Sequence, residues 1–349
     1  MTVADQSPQT GRFSDAVPRR AWYPACRSRD LRRSRPVSIE FLGTPLVVFR
    51  DRRGAAAVLV DRCPHRNAPL SMGRVKNGEL ECRYHGWRFD GSGRCVAVPG
   101  IDSPGERAAT GHATVEHDGI VWFWSEADSP AEGEPYRLPD LGPKAREVVL
   151  TYDIAATMHS AIENTLDVPH TAFLHRGFLR GAAPNELTAR RQPIAGGVEV
   201  QYLGEPFGIG FLRRKGGTPL EHYDRFLMPC IAQVEYRAGP WLHIVNSVLH
   251  LPLDRFRTRA FFVLRATSQR LPTRLVQTVI RVQGPRVARQ DVHVLEQQTA
   301  TIRRFGGERY SSTDLDLFGN SVYRLLRHGE QADDSPPPTV ERREVVFRA

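Results

Sequence analysis

The sequence contains few cysteines and no long hydrophobic run. Its five cysteines among 349 residues are an odd number and too few for a disulfide framework, which favours a reducing compartment where thiols can bind metals. No apolar segment approaches the roughly 18 residues of a transmembrane helix. The N-terminal residues MTVADQSPQTGRF lack the basic start and apolar stretch of a secretory signal peptide. We therefore expect a cytoplasmic protein that does not enter a membrane.

Lysine is also scarce, so arginine carries almost all of the net charge of +9. The arginines are spread along the whole chain rather than clustered with aromatic residues, which argues against nucleic-acid binding. Most of them are expected to form a solvated surface. A second interpretation is local, because a positive rim around a redox site attracts an acidic partner over long distances. Five arginines surround one segment rich in cysteine and histidine: Arg66, Arg74, Arg83, Arg88 and Arg94.

The chain is long enough for two ordinary domains. Short strand-like segments such as VSIEFLGTPLVVFRD, separated by DG and GSG turns, predict an antiparallel all-β domain first. Further strand-like segments follow, bracketed by helical ones near residues 155–175 and 285–304, which predicts an α+β domain around an antiparallel sheet. The predicted divisions are a disordered N-terminus (1–17), the all-β domain (18–128), a Pro- and Gly-rich linker (129–144), the α+β domain (145–328) and a loose C-terminal tail (329–349).

The segment CPHRNAPLSMGRVKNGELECRYHGW, residues 63–87, contains two cysteine–histidine pairs. Such soft-to-borderline ligands usually bind a metal. Structural zinc is one interpretation, but zinc fingers usually place two cysteines in one pair and two histidines in the other. Here each pair supplies one residue of each kind. A [2Fe–2S] cluster with one all-thiolate iron and one two-imidazole iron needs that division, which is the Rieske arrangement.

The motifs CPHRNAPL and CRYHGW resemble the Rieske domain of the ring-hydroxylating oxygenases. Respiratory Rieske proteins carry a further cysteine in each loop, whereas this chain has Asn67 and Ala68 in the first loop and Tyr84 in the second. The resemblance therefore favours the lower-potential oxygenase type. Arg83 departs from the proline common at that place in the family. The ligands of the [2Fe–2S] cluster implied by the resemblance are Cys63, His65, Cys82 and His85.

A second candidate site lies in ENTLDVPHTAFLH, residues 163–175. His170 and His175 are five residues apart, about 140° on a regular helix, so they can share a metal only if the helix ends or bulges between them. Pro169 disfavours a continuous helix. Asp167, three residues before His170, can lie beside such a site without being a ligand. The segment matches the N-x2-D-x2-H-x4-H motif of the same family, which implies that the two histidines bind a mononuclear non-haem Fe(II).

The third iron ligand must be a carboxylate further along the chain. The candidates are Asp291, Glu296, Asp314 and Asp316. The segment RQDVHVLEQQ resembles the family pattern E-D-x4-E-x-Q, with Gln290 in place of the usual acid, and the resemblance selects Asp291. His293 would point away from the iron on a helix. Two histidines and one carboxylate leave adjacent positions open for O2 and substrate.

The resemblance also implies the fold and the assembly. The fold is α+β, with an N-terminal all-β Rieske domain followed by an antiparallel-sheet, helix-grip (START-like) catalytic domain. Chains are expected to form a head-to-tail homotrimer, in which one chain's cluster lies beside its neighbour's iron. His85 would hydrogen-bond to Asp167 of the next chain, Asp167 would contact His170, and Asn164 would lie near the iron.

By the same resemblance the chain is the alpha subunit, or terminal oxygenase, of the alpha-only group that includes vanillate and dicamba O-demethylases. Electrons would come from an NAD(P)H reductase, with or without a ferredoxin. The implied reaction is hydroxylation or demethylation of an aromatic, heterocyclic or polycyclic small molecule. Alternatives are a cis-dihydroxylating dioxygenase of the same family, a non-catalytic Rieske electron carrier with a ligand-binding domain, and a zinc-stapled binding module.

Overall fold

The chain divides into an N-terminal and a C-terminal unit. The N-terminal unit comprises residues 18–138 and 251–255, and the C-terminal unit comprises the remaining residues. The structure is a computed structural model. It describes residues 13–175, 186–205, 220–239, 241–269, 272–331 and 335–348.

The N-terminal unit consists of short antiparallel strands. They are β1 (Trp22–Arg27), β2 (Val37–Phe41), β3 (Thr44–Arg50), β4 (Ala56–Val60), β5 (Arg74–Lys76), β6 (Glu79–Glu81), β7 (Arg88–Phe89), β8 (Cys95–Ala97), β9 (Gly111–His112), β10 (Thr114–His117) and β11 (Ile120–Trp124). Three sheets result, in the orders β1-β11-β10, β2-β3-β4-β9 and β5-β6-β7-β8. The strand-like segments of the sequence and the turns between them therefore form the predicted all-β domain.

The core of this unit lies directly behind the candidate cluster loops. Phe49, Leu80 and Phe89 are fully buried there and pack in one cluster with Cys63 and Cys82. Each such apolar side chain contributes about 1.5–3 kcal/mol when it leaves water. The loops that carry the candidate ligands are thus fixed from below by the hydrophobic core.

Within its described residues, the C-terminal unit contains one eight-stranded antiparallel sheet and three α-helices. The strands are β12 (Arg146–Ile154), β13 (Glu186–Ile194), β14 (Gly197–Leu203), β15 (Glu221–Leu227), β16 (Ile231–Ala238), β17 (Leu242–Asp254), β18 (Arg257–Ser268) and β19 (Arg343–Arg348), and the helices are α1 (Met158–Leu166), α2 (Thr273–Arg304) and α3 (Gly319–Gln331). The sheet order is β12-β18-β17-β16-β15-β14-β13-β19. Helix α1 packs on β15, β16 and β18, α2 packs on β12 and β18, and α3 packs on β14 and α1. This is the predicted α+β class.

The division of the chain differs from the predicted linker. Residues 129–138 belong to the N-terminal unit and 139–144 to the C-terminal unit. Residues 251–255, at the end of β17, also group with the N-terminal unit, because the Leu42 and Gly43 amides donate to carbonyls in this segment at 3.1 and 2.7 Å. Composition does not reveal that residues 251–255 belong to the other unit, because strand β17 continues without a break in its hydrophobic pattern.

Both ends of the chain also differ from expectation. The prediction of a loose tail is wrong for residues 343–348, which form edge strand β19 in register with β13. The reason is that Phe347 is buried in the sheet, whereas the expectation of a loose tail came from the composition of the DDSPPP segment before it. Of the predicted disordered N-terminus, residues 1–12 lie outside the described residues. Ser14 is buried, and its hydroxyl donates to Glu308 at 2.6 Å.

Helix α2 begins at Thr273, twelve residues before the helical pattern recognised in the sequence. Pro285 lies inside it and removes one backbone hydrogen bond, at a cost of about 3 kcal/mol. Packing on β12 and β18 offsets that cost. Across the described residues, no helix is both long and apolar enough to cross a membrane.

A polar network on the sheet gives a prediction about acid stability. Glu235 accepts hydrogen bonds from His243 at 2.7 Å and from Arg225 at 2.6 Å, and Arg225 also donates to Glu199 at 2.6 Å. The hydrogen bond from His243, opposed by burial and reinforced by Arg225, lowers the pKa of Glu235 to about 2. A lowered carboxyl pKa stabilises the fold above the unfolded value, and this contribution is lost as the pH falls toward the folded value.

Glu235→Gln is therefore expected to lower the free energy of unfolding at pH 7 by up to about 3 kcal/mol. The difference from the unmodified protein should shrink by more than half between pH 5 and pH 3. Urea unfolding followed by circular dichroism measures both values. Glu186→Gln, at an exposed position in β13, serves as the matched control and should cost less than about 0.5 kcal/mol. A pH-independent difference for Glu235→Gln would contradict the prediction.

Candidate metal centres

The two cysteine–histidine loops have the same backbone conformation, with the same pair of backbone hydrogen bonds in each. In the first loop the Cys63 amide donates to the Ala68 carbonyl, and the Asn67 amide donates to the Cys63 carbonyl, both at 2.9 Å. In the second, the Cys82 amide donates to the Trp87 carbonyl at 2.8 Å and the Gly86 amide to the Cys82 carbonyl at 3.0 Å. The residue four positions after each cysteine is left-handed, with φ of 60° at Asn67 and 71° at Gly86. Asparagine and glycine tolerate that conformation best.

These turns bring like ligands together. The thiols of Cys63 and Cys82 are buried and form a hydrogen bond with each other. The rings of His65 and His85 lie 4.5 Å apart. Two thiols on one side and two imidazoles on the other is the division that a Rieske cluster requires, so the donor set fits a [2Fe–2S] group.

The surroundings suit metal binding by these side chains. Burial, together with His85, Arg66 and Arg107, lowers the pKa of His65, which keeps it neutral, the form that binds a metal. Its Nδ1 is buried and has no hydrogen-bond partner among the described residues. Trp87 stacks on the same ring at 4.5 Å with an interplanar angle of 5°. Burial also raises the pKa of the Cys63 thiol, so a metal is needed to favour its thiolate.

The second site begins where helix α1 ends. Thr157 caps its N-terminus by accepting from the Ser160 amide at 3.2 Å, and Asp167 follows its last residue in an extended conformation. A separate 3-10 turn, Pro169–Ala172, then carries His170, and His175 follows after it. The break in the helix expected from Pro169 is thus present. It turns two histidines five residues apart toward a common point.

Three ligand atoms converge there. His170 Nε2 and His175 Nε2 are 3.3 Å apart, and Asp291 Oδ1, from α2, lies 3.4 and 3.0 Å from them respectively. Ligand atoms about 2.1 Å from one metal and at right angles to each other lie roughly 3 Å apart, so the spacing fits three adjacent positions of an octahedron. In the described part of the chain this is the one group of three or more histidine, cysteine or carboxylate side chains that could hold a single ion.

The other nitrogen of each imidazole is held by a hydrogen bond. His170 Nδ1 donates to the Asp167 carbonyl, and His175 Nδ1 donates to Gln290 Oε1 at 2.8 Å. Such partners fix the tautomer and leave both Nε2 atoms available to a metal. Sequence reasoning missed the role of Gln290, which it recorded only as a replacement for an acid. The position of Gln290 directly before the candidate ligand Asp291 was the feature of the sequence that could have indicated this role.

Charges in the site are strongly coupled. Burial alone would lower the pKa of His170, but the carboxylates of Asp167 and Asp291 raise it to about 9. Burial alone would raise the pKa of Asp291, but His170 and His175 lower it. The carboxylate is therefore ionised, as a metal ligand must be.

The remaining sequence candidates occupy different places. Asp167 Oδ2 accepts from the His170 amide at 3.2 Å, while 36% of the Asp167 side chain stays exposed. Asn164 lies in the last turn of α1 and accepts the Asp167 amide through its backbone carbonyl at 3.4 Å. His293 is exposed on α2 and lies outside the cluster, as the helical geometry predicts. The other candidate carboxylates, Glu296, Asp314 and Asp316, also lie outside it.

Only part of the arginine rim remains available to a partner. Arg74, Arg88 and Arg94 form ion pairs with Glu81, Glu79 and Asp90 respectively. Arg66 and Arg83, adjacent to His65 and Cys82 in the chain, are exposed, and neither has an ion-pair partner within the described residues. His85 and Tyr84 are exposed on the same loop. Of the five arginines of the predicted rim, Arg66 and Arg83 are therefore the two without an ion pair among the described residues.

Comparisons with known proteins identify two domain families in the chain. The Rieske [2Fe-2S] domain family matches residues 21–114, and the vanillate O-demethylase oxygenase C-terminal domain family matches residues 154–331, just over half of the chain. The oxygenase component of dicamba O-demethylase from Stenotrophomonas maltophilia is 34% identical over 60% of this chain and 60% of its own length. The 3-chlorobenzoate-3,4-dioxygenase oxygenase subunit from Comamonas testosteroni is 36% identical over 70% of this chain and 58% of its own.

The alignments thus span less than two thirds of these relatives. Among solved structures, dicamba monooxygenase bound to 3,6-dichlorosalicylic acid superposes with a TM-score of 0.76 at 24% identity, covering 92% of this chain and 99% of that one, which shows a shared fold. The two family matches and the two donor sets lead to one assignment. The chain belongs to the Rieske non-haem iron oxygenases, whose cofactors are a [2Fe–2S] cluster and a mononuclear iron(II).

Proposed function

We propose that this chain is the terminal oxygenase of a multicomponent system, which uses O2 and electrons from an NAD(P)H reductase to hydroxylate or demethylate an aromatic small molecule. The observation that carries the proposal is the convergence of two Nε2 atoms and one carboxylate oxygen within 3.4 Å of each other. An electron carrier needs only a cluster. A second donor set of this kind serves chemistry at a substrate.

In the proposed mechanism, His170, His175 and Asp291 hold the iron, and Cys63, His65, Cys82 and His85 hold the cluster. The iron supplies activation of O2 when substrate and an electron are present. The protein keeps the two imidazoles in one tautomer through Gln290 and the Asp167 carbonyl. No side chain is required as a nucleophile.

Electron transfer is proposed to cross between chains. His85 is exposed, and the half-exposed Asp167 touches His170 through its backbone and side chain. In a head-to-tail homotrimer, His85 of one chain would donate a hydrogen bond to Asp167 of the next. Heterologous contacts of this kind close into a ring.

The substrate is proposed to lie on the helix-side face of the sheet. Arg191 identifies that face, because it donates a 3.1 Å hydrogen bond to the carbonyl of Leu317, in the segment that leads to α3. The strand register from β13 to β17 places Asn246 on the same face. Tyr236 and Ile244, also on this face, are partly exposed. The Asn246 Oδ1 atom is buried without a partner among the described residues. An apolar wall with a free polar group such as the Asn246 amide oxygen suits an aromatic molecule with a polar substituent.

The test supplies the iron-loaded protein with NADH, a compatible reductase and a panel of aromatic methyl ethers, sulfonates and polycyclic compounds under 18O2. Demethylation, ArOCH3 + O2 + NADH + H+ → ArOH + HCHO + H2O + NAD+, should put the label into formaldehyde and water and leave the phenol oxygen unlabelled. Oxygen uptake that no compound on the panel stimulates would contradict the proposal.

The same experiment distinguishes the proposed demethylation from a second candidate function. The 36% identity to a chlorobenzoate dioxygenase subunit favours cis-dihydroxylation as the alternative. A cis-diol carries both labelled oxygen atoms and releases no formaldehyde. The distribution of label therefore distinguishes the two reactions with one substrate.

The exposed arginines give a further prediction. Arg66→Gln combined with Arg83→Gln should slow electron delivery from an acidic reductase or ferredoxin by about tenfold at low ionic strength, because long-range attraction steers charged partners. The difference should largely vanish at 0.5 M salt, where charges are screened. Stopped-flow reduction of the cluster measures this. Arg74→Gln, whose charge is already paired with Glu81, is the matched control. Equal salt dependence in both variants would contradict the steering role.

A further inference from the structure

One face of helix α1 carries two ionisable side chains one helical turn apart, and a third follows directly after the helix. His159, Glu163 and Asp167 are spaced i, i+4 and i+8, so they form a column that ends at the iron site. The mechanism proposed above uses only Asp167. The other two side chains have an arrangement that packing alone does not require.

His159 has a defined tautomer and an unused nitrogen. Its Nε2 donates to the Gly319 carbonyl at 3.0 Å, which leaves Nδ1 as the nitrogen that can accept a proton. The side chain is 4% exposed, and Nδ1 has no hydrogen-bond partner within the described residues. The nearest acid is Glu163, whose Oε2 lies 3.9 Å from Nδ1. A buried acceptor that faces a carboxyl group at this distance can take a proton from it after a small movement.

Glu163 is held in place by the start of helix α3. A Cβ on Gly319 would lie 2.0 Å from Glu163 Oε1, so a glycine is required for this approach. Burial against α3, and the charges of Asp167, Asp316 and Glu308, raise the pKa of Glu163, while His159 opposes the rise. Two further titratable groups face the pair: Tyr310, on the segment before α3, interacts with Glu163, and the Tyr323 ring of α3 lies 6.0 Å from the His159 ring. Because 36% of the side chain is exposed, Glu163 can still exchange protons with solvent.

We propose that His159 and Glu163 hold one exchangeable proton beside Asp167, pass it to the iron site when an electron arrives there, and regain one from solvent. This inference rests on the proposed function. Monooxygenation balances as RH + O2 + 2 e− + 2 H+ → ROH + H2O, so each turnover takes up two protons with the two electrons that the reductase supplies. An electron adds negative charge at the iron site beside Asp167, which is costly, and a proton that moves to the site with the electron keeps the charge of that site constant.

Glu163→Gln tests the proposal, because it keeps the shape against Gly319 and removes the acidic proton. In the unmodified holoenzyme, turnover should fall as the pH rises through the pKa of Glu163. The variant should be about tenfold slower at low pH and should lack this alkaline decline. Asp316→Asn is the matched variant. It removes a neighbouring negative charge and leaves the pair intact, so the decline should persist but begin at lower pH.

A spectroscopic measurement separates this inference from the proposed function. The infrared carbonyl band of a protonated carboxyl group should titrate with a raised pKa in the holoenzyme, and this titrating band should be absent from Glu163→Gln, whether or not a substrate is known. Unchanged pH profiles in both variants, or a titrating band that survives in Glu163→Gln, would overturn the inference. If Glu163→Gln fails to fold, the Asp316→Asn profile decides, and a profile equal to that of the unmodified protein would overturn it. If the unmodified protein forms no product from any compound, the proposed function fails while the infrared result still tests the proton.

Discussion

Asp291→Ala is expected to lower the iron content from about three to about two atoms per chain, and to abolish product formation by at least about a thousandfold, while the cluster spectrum is retained. Asp291 supplies the only anionic atom of the proposed triad, and its Oδ1 lies 3.0 and 3.4 Å from the two Nε2 atoms. Two neutral imidazoles alone bind Fe(II) weakly. Iron and acid-labile sulfide analysis, with the visible spectrum, measures all three quantities.

The matched control for this variant is His293→Ala. His293 lies two residues further along the same helix and is exposed. Its removal should leave about three irons per chain and normal turnover. Full iron occupancy in Asp291→Ala would show that another carboxylate completes the site, and Glu296 would be tested next.

Asp167→Asn is expected to reduce turnover by about 100-fold while both iron centres remain occupied. The Asp167 carboxylate contacts the backbone amide and the imidazole of His170. The exposed part of Asp167 is the proposed acceptor for the neighbouring chain's His85. An asparagine keeps the local capping of the turn and removes the negative charge. Single-turnover kinetics should show slow oxidation of a reduced cluster although substrate and O2 are bound. Turnover at the normal rate would show that Asp167 only caps the local turn and has no role in electron transfer.

Mixed trimers test whether the electron crosses a chain boundary. Chains with Asp167→Asn keep a working cluster, and chains with Cys82→Ala and His85→Ala lack the cluster but keep Asp167 and the iron site. Co-expressed at equal amounts, they should recover about one quarter of normal activity, because one junction in four places a cluster beside an intact Asp167. Transfer within one chain would leave the mixture as inactive as its parts.

Much of the fold and of both centres was predictable from the sequence. The cysteine and histidine side chains of the two loops, and the two histidines after α1, lie within short segments whose spacing and residue types already suit metal binding. The α+β class followed from strand and helix patterns, and it is confirmed. These features depend on local periodicity and on the chemistry of the ligands, which a linear sequence records directly.

Other features depend on residues distant in the chain. Sequence spacing left four carboxylates as candidates for the third ligand, and resemblance alone selected Asp291. The fold brings Asp291 to within 3.0 Å of His175 and places Gln290 on the opposite nitrogen of that histidine. Strand β19 was missed because its stability comes from pairing with β13, about 150 residues earlier in the chain.

The sequence alone thus indicated which cysteine and histidine side chains are candidates to bind iron, and in which order the all-β and α+β parts follow. The tertiary structure decided which carboxylate meets the histidines, which partners fix their tautomers, and that Gly319 admits Glu163 beside His159. The physical reason is that a ligand's chemistry belongs to its own side chain. Its position relative to a distant residue is set by the packing of α1, α2 and α3 on one sheet.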